Sequence, residues 1–211
     1  MQLPSRTIVN RRIPKQKLYE HAKLNSKLAA YFTGNIAAIY WRNSLSAETL
    51  NVSSQGEITE IEVLEIILKS EDTNSKALEV INGAIPYPIV FLLSHGEKSQ
   101  IWMEYKKSTD KNPIGKITQY YHTDWTVTED LELPLIGLAL ETIYDNLFLQ
   151  IAGNQLEVKE NEKITDALAR TREESKLTKE IERLEKMARA EKQPKKKYEL
   201  YNRIQQLRGE K

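Results

Sequence analysis

Pro86-Tyr87-Pro88 followed by Ile89-Val90-Phe91-Leu92-Leu93 constrains the fold more than any other stretch. The two prolines exclude a helix interior, and five consecutive apolar residues leave no polar face to turn to water. Such a run reads as a central strand buried on both sides. A strand of that kind needs neighbours in a sheet and a covering layer on each face.

The flanking sequence supplies both. Residues 58–68 are β-branched and nearly alternating, with Thr59, Ile61, Val63, Glu65 and Ile67 on one parity and Glu60, Glu62, Leu64, Ile66 and Leu68 on the other, which predicts a strand. Thr73 can cap a helix through Ala77, Leu78, Val80 and Ile81, closed by Gly83. Ser94-His95-Gly96-Glu97 turns the chain into a hairpin strand over residues 99–106, and residues 116–122 predict a fourth strand. From Pro134 the spacing of Ile136, Leu140, Ile143, Leu147 and Ile151 predicts a helix ending at Gly153. Upstream, residues 1–10 lack periodicity and read as an arm. Pro14 opens a helix through Leu18, His21, Ala22 and Leu24, and Phe32, Ile36, Ile39 and Tyr40 predict a second helix over residues 28–40, with residues 43–56 as a loop. The expected fold is α+β: a mixed four-stranded sheet with flanking helices over residues 1–156, built on one crossover unit at residues 58–93.

Beyond residue 157 the composition changes to Glu, Lys and Arg around two apolar stripes. Leu177, Ile181, Leu184 and Ala188 form one, and Leu200, Ile204 and Leu207 the other, with Gln193-Pro194 between them. Residues 157–211 therefore predict a charged helical hairpin or a short coiled coil. Each stripe is too short to be stable alone, so these residues are expected to dock on a partner surface.

Formal net charge is +1, but it is unevenly spread. Residues 1–30 carry seven bases against one acid, residues 31–156 eight against seventeen, and residues 157–211 sixteen against twelve. Two basic ends flank an acidic body. They either face an anionic partner or fold onto that body, within the chain or across a homo-oligomer. Arg11, Arg12, Lys15, Lys17 and Arg42, with Tyr40 and Trp41 alongside, are the candidate nucleic-acid contacts, since cations beside aromatics suit phosphate backbone. The bland alternative pairs them with Glu60 or Glu62. Lys195-Lys196-Lys197 reads as a solvated turn.

Catalytic signals are sparse. The chain has no cysteine, and its three histidines, His21, His95 and His122, lie far apart, which disfavours a metal cluster. No Gly-rich phosphate loop, HExxH or GxSxG motif occurs. Glu65 lies on an otherwise apolar row, so it must be paired, protonated or at an edge. With Glu104 and Lys106 it spells a Mg²⁺-dependent nuclease, an acid on one strand and an acid-x-lysine on another; the bland reading is an edge salt bridge. No cofactor is expected outside that alternative. Tyr120-Tyr121-His122-Thr123-Asp124-Trp125 offers a base-stacking platform or an Asp-oriented histidine, against ordinary packing. No run approaches the length needed to cross a bilayer and the start lacks an apolar signal core, so the chain reads as cytoplasmic, away from membranes.

Several segments in order resemble the prokaryotic domain-of-unknown-function family DUF4391: Val9-Asn10-Arg11-Arg12-Ile13-Pro14-Lys15 with Tyr19, Ile39-Tyr40-Trp41-Arg42-Asn43, Leu45-Ser46-Ala47-Glu48-Thr49, Thr59-Glu60-Ile61-Glu62-Val63, Ile85-Pro86-Tyr87-Pro88-Ile89, Tyr105-Lys106, the Tyr120 to Trp125 run and the charged C-terminal hairpin. The family carries no established activity. Members are often encoded beside a DNA methyltransferase and a superfamily-two helicase, so the resemblance implies an accessory role in DNA modification, restriction or antiphage defence, with such an enzyme as partner. The expected function is a non-catalytic accessory subunit that binds DNA through its basic N-terminal region and a protein through its C-terminal helices. The alternatives are the Mg²⁺ nuclease and a pure assembly factor.

Overall fold

In a computed structural model, which describes residues 3–19, 24–54, 56–106 and 119–209, the apolar run forms β4 (Ile89–His95). It pairs in parallel with β3 (Glu60–Leu68) and antiparallel with β5 (Lys98–Glu104), with Leu64 opposite Phe91 and Val90 opposite Met103. The crossover from β3 to β4 runs through α4 (Ser75–Gly83), capped by Asn74 rather than Thr73: Asn74 Oδ1 accepts from Lys76 N at 3.1 Å. The β4–β5 turn places Gly96 at φ 58°, a value open to glycine at little cost.

The N-terminal region departs from expectation. Residues 8–13 are not an arm but β1 (Ile8–Ile13), an edge strand antiparallel to β2 (Ile36–Ser46). The pairing slips between Ile8 and Arg11, where Asn10 adopts φ 53°. This bulge, with an exposed outer row, removes the alternation that would mark a strand. The helix expected over residues 28–40 ends early. The segment splits into α2 (Ser26–Gly34), capped by Asn25, and β2, which runs through what read as a loop. β2 carries two register shifts against β3, and its buried residues fall at Ile36, Ile39, Asn43 and Leu45. Those shifts convert a period of two into spacings of three and four, which imitate a helix. Before α2 lies α1 (Lys15–Tyr19); the expected continuation through His21 and Ala22 lies outside the described residues. A short helix, α3 (Ala47–Leu50), follows β2.

Beyond β5 come β6 (Tyr120–His122) and β7 (Thr126–Val127), both antiparallel to β5. Residues 116–118 of the expected fourth strand lie outside the described residues. Among the described residues the sheet therefore has seven strands rather than four, ordered β1-β2-β3-β4-β5-β6 with β7 also on β5. On one face α2 and α4 bury Phe32, Ile39, Leu64, Ile66, Leu78, Ile81, Phe91 and Leu93 in a single cluster. Toward the β5–β6 end, α5 (Leu140–Ala152) buries Ile143, Tyr144, Leu147, Phe148 and Ile151. α5 begins six residues after Pro134 because Ser53 holds residues 138–140 extended: Ser53 N donates to Leu138 O and Leu140 N to Ser53 O, each at 3.1 Å. Ile136 is consequently exposed.

The chain divides into two compact units, residues 1–155 and 156–211. The second is built on α6 (Ile164–Ala190) and α7 (Pro194–Gly209). Ile181, Leu184, Ala188, Ile204 and Leu207 form its core, with Leu177 and Leu200 packed alongside.

Candidate nucleic-acid interface

The cations of β1 and α1 differ in what surrounds them. Lys15 Nζ donates to Phe32 O at 2.9 Å and Ile36 O at 2.6 Å, tying the α2–β2 junction to the edge of the sheet. Burial lowers its pKa, and the neighbouring charges of Lys69 and Arg12 lower it further. Arg11, Arg12 and Lys17 are exposed, and among the described residues they make no ion pair. A cleft of about 320 Å³, lined by Arg12, Ile13, Pro14, Lys15, Ala37 and Ala38, opens beside them.

Arg42 is engaged inside the sheet. Its Nε donates to Glu65 Oε2 at 2.7 Å, Nη2 donates to the same oxygen, and Nη1 donates to Asn10 Oδ1. The guanidinium lies 4.5 Å from the centre of the Tyr40 ring. Ser94 Oγ donates to Glu65 Oε1 at 2.9 Å. Glu65 is thus a paired carboxylate, and the strand pairing lines up Arg12, Tyr40, Glu65 and Leu92 across the sheet.

Glu65 and Glu104 are not brought together. The register sets Glu62 opposite Ile89 and Val90 opposite Met103, so Glu104 shares the row of Ile89 and Glu62. Three residues separate Glu62 from Glu65, an odd offset that puts Glu65 and Glu104 on opposite faces of the sheet. Glu104 is buried and accepts from Asn82 Nδ2 at 2.6 Å, while Lys106 Nζ donates to Tyr87 O at 3.3 Å. Burial lowers the pKa of Lys106, opposed by the charge of Glu104. Among the described residues no three His, Asp or Glu side chains are grouped to hold a metal ion.

The sequence offers Glu62 only as a partner for the basic residues and does not mark it as buried. It is only 5% exposed, and Trp41 Nε1 donates to its Oε2 at 2.5 Å. Burial, reinforced by the charge of Glu60, pushes its pKa up to about 7. Glu60 accepts from Ser44 Oγ. The available signal was parity: Glu60 and Glu62 share the row of Leu64 and Ile66, which face the α2–α4 core. The aromatic run is largely spent on packing. Tyr121 is buried with its ring edge-on to Phe148, Tyr120 meets Phe91 and Trp102 at 6.2 Å each, and His122 stacks on Trp102 at 4.3 Å. His122 Nδ1 lies 3.1 Å from Gln100 Nε2 and 3.0 Å from Thr123 O.

The sequence segments that carry these side chains match the model of the family described as Domain of unknown function (DUF4391), over residues 1–210. The chain belongs to the DUF4391 family. No curated protein and no solved structure matches it.

The DUF4391 match spans both units, including the hairpin stripes. Leu177, Ile181, Leu184, Leu200, Ile204 and Leu207 pack on one another, so the stripes need no outside surface to be buried. Ion pairs lie along the helices of this DUF4391 chain, Arg170 with Glu162 and Glu174 and Arg183 with Glu180, and Arg208 of α7 pairs with Glu185 of α6. Tyr198 and Tyr201 are exposed, as are Lys195 and Lys196 at the start of α7. No described helix is long and apolar enough to cross a membrane.

Proposed function

We propose that this DUF4391 chain is a non-catalytic accessory subunit of a DNA-modifying, restriction-like or antiphage assembly. It holds nucleic acid along the cationic edge of its sheet and docks a partner protein through the exposed flank of its C-terminal hairpin. The observation that carries this reading is that Arg11, Arg12 and Lys17 stand exposed at one edge without ion pairs among the described residues. Exposed cations on an edge strand and the short helix after it suit phosphate contacts, which position a duplex without reading its sequence. Arg42 and Lys15 contribute through the fold, Arg42 by pinning Asn10 of β1 and Lys15 by pinning the α2–β2 junction. The nuclease alternative has less support, because its carboxylates Glu65 and Glu104 lie on opposite faces.

The test is duplex DNA binding by the full chain over a salt series. Each phosphate contact contributes about 0.9 to the log–log salt slope. Arg11→Ala, Arg12→Ala and Lys17→Ala combined should weaken binding and flatten that slope by roughly 2.7. Unchanged affinity and slope would overturn the reading, and duplex cleavage requiring Mg²⁺ and lost in Glu104→Gln would replace it with the nuclease.

A further inference from the structure

The cleft beside β1 has walls of two kinds. Ile13, Pro14, Ala37 and Ala38 offer apolar contact, Arg12 and Lys15 offer positive charge, and no acid lines it among the described residues. A lysine ammonium has three N–H donors. Two of those on Lys15 are taken by the Phe32 and Ile36 carbonyls, which fix the ammonium in place, and the third has no partner among the described residues. Arg12 is exposed and, among the described residues, has no ion-pair partner. Lys69 stands near enough that it and Arg12 both disfavour the charge on Lys15. Arg12 and Lys15 therefore stand together in the cleft wall with no carboxylate beside them among the described residues, an arrangement that an arriving anion relieves.

Size and charge narrow the guest. Small-molecule clefts run from about 300 to 1,000 Å³, so a cleft of about 320 Å³ holds one nucleotide and excludes a duplex. A phosphate monoester carries a charge of about −1.5 to −2 near neutral pH, more than the single charge of a backbone diester. The paired cations Arg12 and Lys15 favour the monoester, and the apolar wall suits the attached nucleoside.

We propose that the cleft between β1, α1 and the start of β2 binds a nucleoside phosphate monoester, with Arg12 and Lys15 on the phosphate and Ile13, Pro14 and Ala38 against the nucleoside. The group is offered either by a 5′-phosphorylated strand end or by a free mononucleotide. The inference rests on reading the β1 edge as a nucleic-acid surface, which it extends from duplex backbone to strand ends.

The full-length protein is titrated with a short single strand bearing a 5′-phosphate or a 5′-hydroxyl, and separately with thymidine 5′-monophosphate and with thymidine. The phosphorylated end should bind about tenfold tighter than the hydroxyl end. Arg12→Ala should abolish that ratio, whereas Lys17→Ala should weaken both strands and leave the ratio intact. The monophosphate should bind and thymidine should not. Competition between the monophosphate and the phosphorylated strand identifies free nucleotide as a second source, and preference for the strand end alone assigns the site to ends. Equal affinity for the two strands with a silent monophosphate overturns the cleft while leaving any duplex binding standing. Monophosphate binding that depends on Arg12, without affinity for any strand or duplex, retains the cleft and overturns the nucleic-acid edge.

Discussion

Arg42 and Glu65 form an ion pair on adjacent strands: Arg42 Nε and Nη2 both donate to Glu65 Oε2, and Ser94 Oγ donates to Oε1. Only 14% of the Glu65 side chain is exposed. A carboxylate so placed among apolar neighbours persists because a guanidinium and a hydroxyl meet both of its oxygens. The same arginine reaches back to Asn10, whose left-handed backbone makes the bulge in β1. One side chain thus links the acid of β3 to the geometry of the edge strand.

Removing the cation alone leaves the charge of Glu65 without its main partner. Arg42→Ala should lower unfolding free energy by about 2 kcal/mol, and adding Glu65→Gln should restore part of that loss. Urea unfolding of the four species gives the coupling. Strictly additive effects would show that the pair contributes nothing as a pair.

Glu62 should make the protein less stable as pH rises. Its folded pKa is raised from the ordinary 4.5 to about 7, so between those values the folded chain keeps a proton that the unfolded chain has lost. Stability attributable to this group is complete below pH 4.5, declines through the interval, and is gone above about pH 7. Glu62→Gln should match the parent protein at the acid end and exceed it at the alkaline end by on the order of 2–3 kcal/mol. Denaturant midpoints across that range measure the gap; a gap that does not vary with pH would contradict the burial of this acid.

Gly137 has φ 146°, and a Cβ there would lie 3.0 Å from both Ile143 N and Thr142 Cβ. Gly137→Ala should destabilise the first unit by about 1–3 kcal/mol, through backbone strain and displacement of the first turn of α5. Ala139→Gly, two residues on, lacks that clash and serves as the comparison. Equal melting temperatures for Gly137→Ala and the parent protein would count against the close approach.

Ile204 is 2% exposed, facing the α6 stripe. Ile204→Ala should cost about 2–4 kcal/mol in the hairpin and reduce helicity in far-UV circular dichroism. Tyr198→Ala, on the exposed flank, should leave helicity as it was. Full helicity and stability in Ile204→Ala would mean that the two stripes do not hold each other.

Legibility followed burial. The β4 run, the β3 alternation, the crossover helix and the α5 stripe could be read because one dominant environment repeats along each of them. β2 could not, because two bulges changed the phase of its buried residues and produced helix-like spacings. β1 escaped for a related reason: an exposed, bulged edge strand has no row of apolar residues to announce it. At the candidate interface the sequence picked out five cations but could not sort them. Arg42 and Lys15 are tied by groups 23 and 21 positions distant in the chain, whereas among the described residues Arg11, Arg12 and Lys17 are not so tied.

By itself the sequence determined that a doubly buried strand sits within an α+β layering, that a charged helical pair follows, that positive charge gathers at the two ends, and that the chain carries no thiol. Tertiary structure alone decided the seven-stranded extent of the sheet among the described residues, the opposite faces taken by Glu65 and Glu104, and which cations the fold itself engages. The reason is physical: hydrophobic periodicity is recorded locally along the chain, while strand register, ion pairing and the desolvation of a charge depend on residues that meet only after folding.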